Sequence, residues 1–103
     1  PSPGRTLGFI HNKYIWDNEI NEDERAIISL GIAEDYIVFR ATNKAKAIGF
    51  DLNDIIKQLK DRYLEEVQGG GHPGAGTIRF VPFLKDEVKR KSLEYIEKIV
   101  KKK

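Results

Sequence analysis

Residues 68–76 read Gln68-Gly69-Gly70-Gly71-His72-Pro73-Gly74-Ala75-Gly76. Three adjacent glycines carry a large entropic penalty, because glycine has more backbone freedom to lose on folding than any other residue. That penalty fits a backbone that must reach positive φ or admit another molecule at close range. Consecutive N–H groups with no side chains in front of them form concave anion sites. Two readings are open: an anion cradle, or a long flexible turn with an incidental histidine.

The flanking sequence sets the fold class. Upstream, Asp51 is a good N-cap for a helix from Leu52 to about Val67. Leu52, Ile55, Ile56, Leu59, Tyr63 and Val67 recur on one face of it. The glycines then double as a helix stop. Downstream, Gly76 to Val81 reads as a strand, with Ile78 and Phe80 on one side and Thr77, Arg79 and Val81 on the other, ended by Pro82. A last helix is predicted from Leu84 to Lys102, apolar along Leu84, Val88, Tyr95, Ile96, Ile99 and Val100. Lysines at its C-terminus complement the helix dipole.

Further upstream, Ala26 to Ala33 is strongly apolar, as a covered strand is. Tyr36 to Thr42 alternates, with Ile37 and Phe39 facing one way and Tyr36, Val38 and Arg40 the other. Glu34 and Asp35 separate these runs, which predicts an antiparallel hairpin. Thr42 to Lys46 reads as a loop, with Ile48 and Phe50 in a short extended piece. At the start, Leu7 to Ile10 is expected to form a first strand and His11 to Trp16 an extended continuation. The acidic stretch from Asp17 to Glu24 reads as a loop. The sum is a single two-layer α+β domain over residues 1–103: a small mixed β-sheet with helices packed on it.

Length supports one domain with a modest core. No apolar run approaches the roughly 18 residues that span a bilayer. Cysteine is absent, which excludes disulfides, thiolate metal sites and a cysteine nucleophile. With no secretory pattern either, the expected compartment is cytoplasmic and no membrane partner is expected. Methionine is absent and the chain opens Pro1-Ser2-Pro3-Gly4, as a domain cut at a linker does. The abundance of Lys, Glu and Ile points to a thermophilic source. Net charge is only +2, but residues 85–103 hold eight Lys/Arg against four Asp/Glu, and five acids crowd Asp17 to Glu24. Both clusters read as solvated surface.

His72 can donate to a phosphate or act in acid–base chemistry. His11, in an aromatic stretch, reads as structural or surface. Arg40, at a strand end, can grip a phosphate with two parallel hydrogen bonds, or form an ordinary surface ion pair. Arg79 is a weaker analogue, and Lys44 and Lys46 add positive potential near Arg40. No metal-ligand spacing, phosphate-binding Walker loop or nucleophile elbow is present. The chain offers a place to bind an anion more clearly than machinery to cut one.

Gly69-Gly70-Gly71-His72-Pro73-Gly74-Ala75-Gly76 resembles the Gly-Gly-Gly-His-x-x-Ala-Gly signature of the DHH-associated C-terminal domain. That domain belongs to DHH-family phosphoesterases, which include RecJ-like single-strand exonucleases, nano-RNA oligoribonucleases and cyclic-dinucleotide phosphodiesterases. Family members also place an Arg-Ser pair at a strand end, followed by a short loop, an Asp-led helix and the glycine segment. Val38-Phe39-Arg40-Ala41 and Asp51-Leu52-Asn53-Asp54-Ile55-Ile56 keep that order, over roughly residues 26–82. The usual serine is Ala41 here, so a hydroxyl contact is lost.

The resemblance implies a substrate-binding domain whose catalytic half, carrying an Asp-His-His motif and two metal ions, lies N-terminal to it. This chain has no Asp-His-His sequence, so the fragment alone is expected to be inactive and to bind no metal itself. Manganese or magnesium is expected in the missing half. Carried over residue by residue, Arg40, Gly69, Gly70, Gly71, His72 and Gly74 are the expected substrate contacts, with no catalytic residue among them. The expected partners are single-stranded nucleic acid, a short oligonucleotide or a nucleotide, and the DHH domain of the parent chain. A free-standing nucleic-acid or nucleotide binding module is the alternative. A relative of the C-terminal domain of alanyl-tRNA synthetases is a third reading, which His72 opposes because that branch typically has arginine there.

Overall fold

The computed structural model describes residues 2–101, so Pro1 of the predicted linker and Lys102 of the predicted last helix lie outside it. Its first element is a helix, α1 (Pro3–Asp17), in place of the strand and extended segment expected there. Ser2 caps it, its Oγ accepting from the Arg5 N–H at 3.2 Å. Pro3 opens the first turn, where a missing N–H is harmless. Leu7, His11 and Ile15 recur every fourth residue and are buried together with Gly8. Exposed Phe9, Ile10, Tyr14 and Trp16 fill the intervals, which makes the stretch read as an extended apolar run.

The hairpin forms as expected: β1 (Ile28–Ile32) pairs antiparallel with β2 (Tyr36–Ala41), Ile28 opposite Ala41. The predicted loop after it contains a short helix, α2 (Asn43–Ala47). Thr42 makes that helix possible. Its buried Oγ1 accepts from the Ala45 and Ile27 N–H groups and donates to the Arg25 carbonyl at 2.7 Å. Ile48 and Phe50 form no strand; Gly49, at φ +118°, turns the chain instead.

Asp51 caps α3 (Leu52–Tyr63) as predicted, accepting from the Asn53 N–H at 2.9 Å, and Leu52, Ile55, Ile56 and Leu59 are buried on its inner face. The helix stops short of Val67 because Leu64 takes φ 51° and a 3-10 turn, Leu64–Glu66, follows. Val67 is thereby released to begin a strand, β3 (Val67–His72). The three glycines are thus strand residues, not a loop. They sit at φ +142°, +149° and +153°, a mirror-image extended backbone that only glycine adopts readily. Pro73 and Gly74 alone make the turn into β4 (Ala75–Phe80). After a 3-10 turn at Pro82–Leu84, α4 (Lys85–Lys101) completes the chain.

The four strands run β1-β2-β4-β3 in one sheet, and each pairing is antiparallel where a mixed sheet was expected. Tight hairpins force this for β1–β2 and β3–β4, while β2 and β4 pair antiparallel across the connection through α2, α3 and β3. The α+β class holds. One face carries Ile37, Phe39, Ile78 and Phe80 into a core with Phe50, Leu52, Ile55, Leu59 and Val88, under α3 and α4. The other face is covered by α1, so the domain has three layers, not two. Among the described residues no helix is long and apolar enough to cross a membrane.

Candidate functional site

Strand register builds the site. Ser29 lies opposite Arg40, Arg40 opposite Ala75, and Ala75 opposite His72, one row across all four strands. Side chains alternate along a strand, so with Phe39 in the core Arg40 must emerge on the α1 face. There α1 crosses it at Gly8. A Cβ on Gly8 would touch the Arg40 Nη2 and come within 2.9 Å of its Cζ. His11 lies one helical turn further on, its Nδ1 2.7 Å from the Ser29 Oγ.

The Pro73-Gly74 turn is pinned beside Arg40. The Ala41 N–H donates to the Gly74 carbonyl at 2.8 Å, and the Leu52 N–H donates to the Pro73 carbonyl at 2.9 Å. Asn53 Nδ2 donates to the Gly71 carbonyl at 3.1 Å. Gly74 is buried beneath the Lys46 stem, whose Cδ would lie 2.7 Å from a Cβ there. Lys46 reaches the turn because Thr42 caps α2 and sets its direction.

These residues enclose a cleft of ≈ 350 Å³ lined by Arg40, Lys46, His72, Gly74, His11 and Glu22, among others. Among the described residues, neither Arg40 nor Lys46 forms a salt bridge, and neither does His72. Glu22 is the acid that faces them across the cleft. His72 is exposed and Arg40 half-buried. His11 is only 3% exposed, and its Nε2 is buried without a hydrogen-bond partner. Burial pushes the His11 pKa below its ordinary value; Glu22 opposes that and Arg40 adds to it. The cleft therefore offers a guanidinium fork, an ammonium and imidazole donors to an anion. No group of three or more His, Cys, Asp or Glu placed to hold a metal occurs among the described residues.

Of the residues singled out in the sequence, Arg40, His72 and Gly74 meet here, with Lys46. Gly70 and Gly71 lie along the strand that leads to His72, and Gly69 borders a separate groove with Lys60 and Gln68. Arg79 is exposed four register positions away, beside Ser2 and Pro3. His11 is the cleft residue that sequence reading set aside as structural or surface. Its four-residue spacing from Leu7 and Ile15 was the available signal, since it places His11 on a buried helical face.

No family model matches the chain. It is 37% identical over 99 residues, 94% of its length, to the uncharacterized protein MJ1198 of Methanocaldococcus jannaschii, of which it spans 13%. It also resembles a solved structure named as a member of the s1p family of ribosomal proteins, DHH domain. There the TM-score is 0.81 at 34% identity, over 93% of this chain and 21% of that one. This chain is an α+β module related to that DHH-domain protein, and it corresponds to a small part of each of these longer proteins.

Proposed function

We propose that this chain is the nucleic-acid or nucleotide substrate-binding domain of a DHH-family metal-dependent phosphodiesterase or exonuclease. The observation that carries this reading is the row that brings Arg40 and His72 to one cleft, with Lys46 across the turn, all free of ion pairs among the described residues. Arg40 would grip two phosphate oxygens. Lys46 would add a point charge and His72 a hydrogen bond from the turn edge. Glycines 69–71 would keep the strand beside His72 free of side chains. The chain's own residues position the substrate. Paired manganese or magnesium ions would belong to the Asp-His-His half, which supplies water activation and leaving-group stabilisation.

The test is fluorescence anisotropy with 5′-labelled single-stranded DNA and RNA oligonucleotides at low salt. Arg40→Ala and His72→Ala are expected to weaken binding at least tenfold while melting near the unaltered chain. Binding unchanged in both variants would sink the proposal. An anion cleft lined by this chain's own residues also suits a binding module without catalytic activity. Manganese-dependent hydrolysis by the full-length parent, impaired by Arg40→Ala, separates the two readings.

A further inference from the structure

We propose that His11, on the helix crossing the sheet, is a buried donor to the bound anion, its Nε2–H taking one phosphate oxygen beside Arg40. This deepens the proposed anion site and rests on it. Three observations converge on the assignment. His11 is only 3% exposed, yet its buried Nε2 has no partner. Buried polar atoms in folded proteins are nearly always paired, so an unpaired one on a cleft-lining residue calls for a partner, and a ligand in the cleft is one that would supply it. His11 also lines the same cleft as Arg40, Lys46 and His72. Finally, Ser29 holds the ring by Nδ1 at 2.7 Å, and Ser29 is itself the first residue of the row that carries Arg40 and His72.

The chemistry fixes the tautomer in the bound state. An anion accepts only from an N–H, so Nε2 must carry the proton. Burial favours the neutral ring, in which Nδ1 is then the acceptor and the Ser29 hydroxyl donates to it. The charged and titratable groups around the ring are Glu22 from the loop after α1, Arg40 from β2, Lys46 from α2 and His72 from β3. An anion beside Arg40 compensates the cation, while Glu22 disfavours one placed on its own side of the cleft. The ligand oxygen is therefore expected between His11 and Arg40. The ligand class is a phosphate group, whether from an oligonucleotide terminus, an internal diester or inorganic phosphate.

The experiment uses the chain labelled with ¹⁵N-histidine and a 5′-phosphorylated single-stranded oligonucleotide, with inorganic phosphate and an unphosphorylated oligonucleotide as separate arms. Ring ¹H–¹⁵N spectra should show the His11 Nε2–H form in the complex, with signals that move on saturation. A response to inorganic phosphate or only to the 5′-phosphorylated strand assigns a terminal phosphate; a response to both strands and not to inorganic phosphate assigns a diester. In parallel, His11→Asn places an amide near Nδ1 and keeps the Ser29 bond but removes Nε2. His11→Gln returns a donor near the Nε2 position. His11→Asn should bind about tenfold more weakly, about 1.4 kcal/mol, and His11→Gln should recover most of that loss. If His11→Asn fails to fold, the His11→Gln affinity and the ring spectra decide. His11 ring signals unmoved at saturation, or His11→Asn binding within twofold of the unaltered chain, overturn the assignment while Arg40→Ala still tests the site. No binding by the unaltered chain overturns both.

Discussion

Replacing Gly8 by alanine separates the position of Arg40 from the stability of the fold. Gly8 lies in the interior of α1, where Gly→Ala ordinarily stabilises a helix by about 1 kcal/mol. The added Cβ would touch the Arg40 Nη2, 2.9 Å from Cζ and 3.2 Å from Nε. The obstacle is the end of a flexible side chain, so the guanidinium swings aside at a rotamer cost of about 0.5–1.5 kcal/mol. These terms nearly cancel, and the melting temperature should stay within about 5 °C of the unaltered chain. Ligand binding should suffer much more. A misplaced guanidinium forfeits charge-assisted hydrogen bonds of about 1.5–3 kcal/mol, a roughly tenfold to hundredfold loss in Kd. Thermal melts by circular dichroism and anisotropy with a labelled oligonucleotide measure the two effects independently. Gly4→Ala in the same helix is the control, since a Cβ there meets nothing within 4 Å. Unchanged affinity in Gly8→Ala would refute the placement of Arg40 at the ligand. A drop in melting temperature of more than about 10 °C would refute its freedom to move.

Other outcomes follow from the same framework. Gly69→Ala forces a side chain to φ +142° and its Cβ onto the Thr77 carbonyl oxygen, so denaturant unfolding should show a loss of at least about 2 kcal/mol. Thr42→Val keeps the shape but strips the hydroxyl that serves Ile27, Ala45 and Arg25; the expected cost is about 1–3 kcal/mol, with Thr42→Ser close to the unaltered chain. Burial, aided by a hydrogen bond to Asp54, pushes the Tyr95 phenol up to about 12. The fold thus favours its neutral form. That contribution is whole below pH 10, the ordinary tyrosine value, and is lost as pH rises from there through about 12. Alkaline titration at 295 nm should show late-ionising tyrosine absorbance that falls in Tyr95→Phe, the remainder belonging to Tyr63, which burial and its hydrogen bond to Glu87 also push up.

Much of the fold was legible because two kinds of periodicity were clean. Leu52, Ile55, Ile56 and Leu59 announced the inner face of α3, and the alternation from Tyr36 to Arg40 assigned both faces of β2 correctly. That alternation also placed Arg40 outside the core, which is the larger part of the site. The N-terminal helix was missed because its exposed face carries Phe9, Ile10, Tyr14 and Trp16, which masks the Leu7, His11, Ile15 repeat. The glycine strand was missed for a different reason. Glycine is depleted in strands, and its identity says nothing about pairing; the ladder with β4 holds Gly69–Gly71 extended. The sheet was read as mixed because sequence alone did not show that residues 67–72 close a hairpin. His11 joined the cleft only through α1, so both were lost together.

The row Ser29, Arg40, Ala75 and His72 draws on two hairpins separated along the chain by α2 and α3, with His11 added from α1. No fragment containing a single hairpin can assemble it. A one-residue slip of β2 would turn Arg40 into the core and send Phe39 outward. Occupancy of the cleft is consequently coupled to global, not local, unfolding. A ligand at 100 times its Kd would deepen the whole native well by about 2.7 kcal/mol. Amide exchange would then slow in all four strands at once, including β1, whose residues lie at the opposite edge of the sheet from His72.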